Sequence, residues 1–326
     1  MMKSLLIVVL LAAQAAPPIF RFETDGFWLN LHHYLYVLGR VEAKMPDVLR
    51  AAVAQAPADE AEGLKELTDT DRRIWREAVS FYATGLSRQD TVFDRSLVDV
   101  TNALRRTPAG GPVSAAATDP ALAAVLERAA VIYRAAWWAR HRESNRRWVS
   151  SMQDPLTRYG AQVLAYVTRV YQEPWMKDGY PVHVSAFSNW AGAYSTSDSL
   201  LVISSQAPGN QGLLGFEIAF HEAMHQWDDA VSARLRRVAE ANRIQKVDGL
   251  LGHVLIFYTA GEAVRSAVPS HTPYADVAGI WKGRMGVFKP ALDAHWKPYL
   301  EGETTMDSAL LGLLKAYSSG TPAPKR

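Results

Sequence analysis

Hydrophobic residues in the first half of the chain recur at helical spacing. Between residues 71 and 84 the apolar positions are Ile74, Trp75, Ala78, Val79 and Tyr82, and residues 91–106 repeat the pattern. Asp119-Pro120 and Asp154-Pro155 each place a capping carboxylate before a proline suited to the first helical position, which predicts helices to about Trp148 and Gln172. Residues 20–36 are also predicted to be helical. The sequence therefore predicts a helical N-terminal region over residues 16–179.

The pattern changes at residue 180. Residues 181–187 and 199–204 are short runs rich in β-branched side chains, which predicts two strands around a loop. Within that loop, residues 191–194 mix small and aromatic side chains, as in a strand that lets a ligand backbone come close. Helices are then predicted over residues 213–242 and 248–267, with further helices beyond. The predicted fold class is mainly α with a small β-sheet (α+β).

Composition narrows the possible functions. The 326 residues are 48% hydrophobic and 21% charged, which is typical of a globular chain with a large core. The formal net charge of +2 is too small to indicate a nucleic-acid partner. There are 0 cysteines, so disulfides, Cys-ligated zinc and thiol-protease chemistry are excluded.

The first fifteen residues have the features of a secretory signal peptide. Lys3 precedes an apolar run over residues 5–13, and Ala13-Gln14-Ala15 supplies a small-residue cleavage site. The run is too short to span a bilayer comfortably, although an uncleaved anchor is the alternative. We expect cleavage after Ala15, export to the periplasm or the medium, and no stable membrane span in the mature chain.

The segment His221-Glu222-Ala223-Met224-His225 indicates a metal site. Histidines four residues apart lie on one face of a helix, so both imidazoles can reach one ion. Glu222 lies about 100° round the helix axis from His221, where it can flank the metal without ligating it. Zinc acidifies a bound water and a nearby carboxylate can take the proton, so the segment predicts metal-assisted hydrolysis with Zn²⁺.

A catalytic zinc site needs a third protein ligand. Glu262 and His253 both lie on the next predicted helix, nine residues apart, and therefore on opposite faces. Gly261 would permit close helix packing, and apolar residues share the face of Glu262, namely Leu251, Leu255 and Tyr258. These features favour Glu262, with His253 as the alternative. Asp228 or Asp229 can accept a hydrogen bond from a ligand imidazole.

The motif, followed by a glutamate on the next helix, resembles the gluzincin branch of the zinc metallopeptidases. The resemblance covers about residues 180–267. It implies His221, His225 and Glu262 as zinc ligands, Glu222 as general base, and an edge strand near residues 191–194 that pairs with the substrate backbone. The sequence departs from the family at Ser266, where an acidic or Asn residue is frequent.

An oxyanion donor, a Tyr or His in such enzymes, has no diagnostic spacing here. Tyr274 is taken as the candidate, with His271, Tyr258 and His295 as alternatives. Residues 180–326 are thus predicted to form a zincin-like metallopeptidase region acting on peptide or protein substrates. One alternative is a non-catalytic exported binding protein with a structural metal site. The other is a helical cell-envelope scaffold without metal.

Overall fold

The computed structural model describes residues 17–46, 51–113, 119–196 and 199–318. The predicted signal peptide, residues 1–15, lies outside them. Helices dominate the described chain, and four strands form one small sheet, which confirms the mainly α, α+β prediction. Among the described helices, none is long and apolar enough to cross a membrane.

Fifteen α-helices are found in the described ranges, several of them joined by 3₁₀ or π turns. They are α1 (Phe27–Glu42), α2 (Ala51–Ala54), α3 (Ala56–Leu64), α4 (Asp69–Thr84), α5 (Arg95–Arg106), α6 (Pro120–Tyr133), α7 (Ala139–Pro155), α8 (Ala161–Tyr171), α9 (Gly212–Met224), α10 (Asp228–Ala241), α11 (Leu251–Ala267), α12 (Tyr274–Val277), α13 (Lys289–Ala291), α14 (Lys297–Leu300) and α15 (Met306–Ser318). The helix predicted over residues 213–242 is therefore α9 and α10, joined by a 3₁₀ turn.

The sheet has the strand order β1-β2-β4-β3. Its strands are β1 (Phe20–Glu23), β2 (Tyr180–Ser185), β3 (Ala193–Thr196) and β4 (Leu200–Ser204). β1 and β4 run parallel to β2, and β3 pairs antiparallel with β4. The helical prediction for residues 20–26 is wrong, because Phe20-Arg21-Phe22-Glu23 alternates apolar and charged residues with the period of a strand.

Helices cover both faces of the sheet around β4. All five residues of β4 are buried, and successive side chains point to opposite faces. Leu200 and Val202 pack with Leu29 of α1, whereas Leu201 and Ile203 belong to the core that contains α9. The same core includes residues of α7 and α8, from the predicted N-terminal region. The domain boundary between residues 179 and 180 stays a prediction.

Residues 120–171 form one continuous run of helix. Its start is as predicted, since the Asp119 carboxylate accepts hydrogen bonds from the N–H groups of Ala121 and Leu122 at 2.8 and 3.2 Å. The second predicted start is wrong, because Pro155 lies inside the helix. A π turn over residues 156–160 follows it and accommodates the missing proline N–H.

Asn30 ties α1 to the sheet and to α7. Its side chain is 1% exposed, and Oδ1 accepts hydrogen bonds from the Ala186 N–H at 2.9 Å and the Asn145 amide at 3.0 Å. Its amide nitrogen donates to the Gly26 carbonyl at 2.9 Å. A buried asparagine with this many partners fixes the position of α1 over the sheet.

We predict that Asn30→Ala destabilises the fold by about 3 kcal/mol, because it leaves the Ala186 N–H and the Asn145 amide buried without their acceptor. The free energy of unfolding from urea denaturation measures the effect. As control, Asn242→Ala alters an exposed asparagine and is expected to cost less than about 1 kcal/mol. A similarly small cost at Asn30 would contradict the proposed role.

Candidate metal centre

The predicted metal-binding motif lies at the end of a buried helix. α9 begins at Gly212, and its residues from Gly215 to Met224 are all buried between the sheet and neighbouring helices. The backbone tightens into a 3₁₀ turn at His225–Trp227 before α10 begins. His221 is 2% exposed, whereas the His225 side chain is 20% exposed. The site therefore opens to solvent on the side of His225.

Three imidazoles converge at this end of α9. The ring centroids of His221 and His225 are 5.3 Å apart, and the ring of His253, on α11, lies 5.3 and 5.0 Å from them. One ring nitrogen from each residue can be chosen so that all lie within 4.8 Å of one another. This group of residues can hold a metal ion, and we call it the His cluster.

The distance between two of the nitrogens matches metal coordination. Nε2 of His221 and Nε2 of His253 are 3.3 Å apart. Two nitrogen ligands at tetrahedral positions around zinc, each about 2 Å from the ion, are separated by about 3.3 Å. Imidazole also suits copper, iron and nickel, so the ligand set by itself does not identify the metal.

The burial of the cluster sets its protonation. Burial lowers the pKa of His253 to about 4 and holds the pKa of His221 well below its ordinary value, and the charge of His225 reinforces both shifts. Both imidazoles are therefore neutral at pH 7, each with a lone pair available for a metal. These two imidazoles can bind a cation without first losing a proton.

His225 is held differently. Its Nδ1–H donates a hydrogen bond to the Asp228 carboxylate at 2.8 Å, so Nε2 is the ring atom that could bind a metal. Burial lowers the pKa of His225, but the hydrogen bond to Asp228 and the negative charges of Glu222 and Asp228 outweigh it, and the net pKa is raised. Asp228 thus makes the contact that was expected of a carboxylate beside a ligand histidine.

Glu222 lies between α9 and the sheet. It is 8% exposed, and its Oε2 accepts a hydrogen bond from the Ser195 hydroxyl of β3 at 2.9 Å. Burial raises the pKa of Glu222, against the opposing effects of the His225 charge and the Ser195 hydrogen bond. No sequence pattern singled out Ser195, although strand alternation places it on the α9 face together with Ala193.

The structure does not bring Glu262 into the His cluster, contrary to the sequence-based expectation. Its carboxylate accepts a hydrogen bond from Arg265 at 2.9 Å, and its charge acts on Tyr166 of α8. α11 is buried on two sides, with the face of His253 against α9 and the face of Glu262 towards α8. Because both faces of α11 are buried, its apolar pattern could not indicate which face meets α9.

Phe257 forms an apolar wall of the cluster. Its ring centroid lies 4.0 Å from that of His221. The same ring stacks on the His253 ring, with 4.8 Å between the centroids. Tyr274 stacks on Phe257 at 6.4 Å, with an interplanar angle of 7°. Tyr274 is therefore close to the centre but behind Phe257, and its role as oxyanion donor stays a prediction.

The alternatives to Tyr274 point elsewhere. His271 Nε2 is 2.6 Å from Oε2 of Glu217, the residue one turn before His221 on α9. Tyr258 donates to the Asp293 carboxylate at 2.7 Å. His295 faces Gly312, on α15, where an added Cβ would lie 2.5 Å from its Nδ1. These contacts give each alternative a structural role away from the His cluster.

Comparison with protein-family models, with curated proteins and with solved structures gives no significant match to this chain. The candidate metal centre consequently rests on its sequence motif and on the geometry of His221, His225 and His253. Neither the gluzincin resemblance nor any other family assignment gains support from these comparisons.

We predict that His253 makes the metal-free protein less stable in acid. A histidine whose folded pKa is lowered contributes stability above its unfolded pKa near 6.5, and this is lost as the pH falls towards the folded pKa of about 4. In a chelating buffer, the free energy of unfolding of the wild type should fall between pH 7 and pH 4.5. For His253→Gln the fall over the same range should be about 2 kcal/mol smaller. Parallel curves for the two proteins would contradict the burial of a neutral His253.

Proposed function

We propose that the chain is a zinc-dependent hydrolase that cleaves peptide bonds, with His221, His225 and His253 as zinc ligands. The observation that carries the proposal is the convergence of three imidazoles at the end of α9, next to the buried carboxylate of Glu222 on that helix. In this proposal His253 takes the place that the sequence analysis gave to Glu262. The remaining coordination position is left for water or substrate.

Zinc is the metal we favour among those that imidazole binds. Three neutral imidazoles and one open position are typical of a catalytic zinc site, as is a carboxylate that fixes a ligand histidine, here Asp228 with His225. When bound, zinc lowers the pKa of water and polarises a carbonyl group. The three histidines would hold the ion, and Phe257 would limit water on one side of it.

Glu222 is the proposed general base. Its raised pKa suits a group that takes a proton from the attacking water and returns it to the leaving amine near neutral pH. A carboxylate beside the metal adds nothing to a structural site, and its burial is costly without a partner. The presence of Glu222 therefore supports catalysis over a structural metal.

A peptide is the proposed substrate because a sheet edge runs beside the base. β3 pairs with β4 on one side, and within the described ranges no strand pairs with its other side. An extended peptide can add to such an edge through main-chain hydrogen bonds. β3 also contacts α9, so a bound backbone would pass close to Glu222. We propose on these grounds that the core is zincin-like.

The second candidate is an exported binding protein that keeps a metal for structure. The low exposure of His221, at 2%, and of Glu222, at 8%, favours it, because a catalytic centre must admit its substrate. Export itself is proposed for either function from the signal-like residues 1–15.

We predict that zinc binding depends on His253 and not on Glu262. After reconstitution and removal of free metal, wild type and Glu262→Ala should each hold about one zinc per chain, and His253→Ala should hold much less, because it lacks one of three ligands. Elemental analysis with protein quantification gives the ratio. If only Glu262→Ala lost its zinc, the third ligand would be Glu262, as in the gluzincin resemblance, and the proposed ligand His253 would be wrong.

We predict that Glu222→Gln lowers peptide hydrolysis by at least about 100-fold while zinc content stays near that of the wild type, since the amide cannot take the proton. Release of fluorescent fragments from labelled casein measures the rate. The control Glu240→Gln changes an exposed glutamate of α10 and should match the wild type. A zinc-loaded wild type that cleaves no peptide substrate would favour the binding protein, and full activity of Glu222→Gln would refute the mechanism.

A further inference from the structure

The hydrogen bond between Ser195 and Glu222 joins the edge strand to the proposed base. The Ser195 hydroxyl donates to Oε2 at 2.9 Å, and both residues are buried at 8% exposure. We propose that Ser195 is a positioning residue, which holds the Glu222 carboxylate so that Oε1 is the oxygen presented to the attacking water. This inference rests on the proposed function, because it assigns a role within that site.

β3 supplies Ser195 from a fixed position. Ser195 lies opposite Leu201 in the antiparallel pair and faces α9. The preceding residue, Tyr194, points to the other face, where its hydroxyl is 2.7 Å from Nε2 of His33 on α1. The strand is thus anchored on the face opposite to the one that meets Glu222. A hydroxyl on such a strand is held more precisely than one on a loop.

A glutamate needs such a restraint to act as a base. The terminal torsion of a free glutamate is broad, so its two oxygens exchange positions easily. In the described part of the chain, Oε2 of Glu222 is bonded to Ser195 and Oε1 has no hydrogen-bond partner. One oxygen is therefore fixed and the other is left to accept a proton. Restricting the base to one orientation raises the fraction of reactive encounters.

Other carboxylates of the molecule show how this chain satisfies a carboxylate used only for structure. Asp59 accepts hydrogen bonds from Arg140, His141 and Tyr34, and Glu262 accepts one from Arg265. Glu222 has one neutral hydroxyl as its hydrogen-bond partner among the described residues, whereas the buried Glu217 of the same helix pairs with both His271 and the Tyr274 N–H. A single neutral hydroxyl leaves its charge available to the cluster and to a proton.

The test compares Ser195→Ala with Ser195→Thr in zinc-loaded protein on a peptide substrate. Removing the hydroxyl should lower kcat about 10-fold and change KM less than twofold, because the effect lies in the orientation of the base. Ser195→Thr keeps a hydroxyl at the same position and should recover most of kcat. A kcat of Ser195→Ala within twofold of the wild type would overturn the proposal.

Ser185→Ala is the matched control for loss of a buried serine hydroxyl. Ser185 lies in β2, and its hydroxyl is buried without a partner in the described structure. This variant should keep kcat, which separates the role of Ser195 from a general effect on the sheet. An equal loss of kcat in both variants would show that Ser195 acts only through the fold.

A readout in metal-free protein completes the test. In crystals of chelator-treated Ser195→Ala, the Glu222 carboxylate should show several orientations, whereas in the treated wild type it should show one. Zinc content after reconstitution should equal that of the wild type, since Ser195 is not a ligand.

If Glu222→Gln is inactive and Ser195→Ala behaves like the wild type in kcat and in the crystal, this inference fails and the proposed function stands. If the zinc-loaded wild type cleaves no peptide while the crystals show the expected difference, the failure belongs to the proposed function.

Discussion

The packing of α11 against α9 is the contact on which the candidate centre depends. His253, near the start of α11, meets His221 near the end of α9, and eight residues later Gly261 meets Glu217, one turn before His221 on α9. An added Cβ at Gly261 would lie 2.6 Å from the Pro273 Cβ and 3.3 Å from Oε1 of Glu217. The close approach of Pro273, which precedes α12, excludes a larger residue here, and the Glu217 side chain on α9 lies just beyond it. A wider spacing between the two helices would draw His253 away from His221.

The same packing explains the charge state of the centre. The helices bury His221 and partly bury His253, which keeps both imidazoles neutral, and Phe257 adds an apolar surface beside them. Negative charge near the cluster comes from Asp228 and Glu222, neither of which is a ligand in our proposal. In our proposal, three neutral imidazoles would leave the charge of the ion undiminished, so it would attract an oxyanion more strongly than it would with a carboxylate ligand.

Sequence reasoning succeeded where a local pattern determines the structure. The capping carboxylate of Asp119 is found as expected. The four-residue spacing of His221 and His225 does bring their rings together, although α9 ends at Met224 and His225 begins the 3₁₀ turn that follows. Prediction from the sequence failed where contacts between distant segments determine the structure. Leu251 and Leu255 correctly marked a buried face of α11, but that face meets α8, and the opposite face is buried as well. Periodicity reports that a face is buried and cannot report which neighbour buries it.

The position of the proposed base, Glu222, also depends on contacts between distant segments, here those of the sheet. β1, predicted as helix, pairs with β2 across more than 150 residues of sequence, and β4 separates β2 from β3. Whether Ser195 or Tyr194 faces α9 depends on this register, because a shift of one residue exchanges the two faces of a strand. Tyr194 is bonded to His33 and Leu200 packs on Leu29, so α1 fixes the register from the far side. The orientation of Glu222 consequently depends on a helix that contributes no residue to the His cluster.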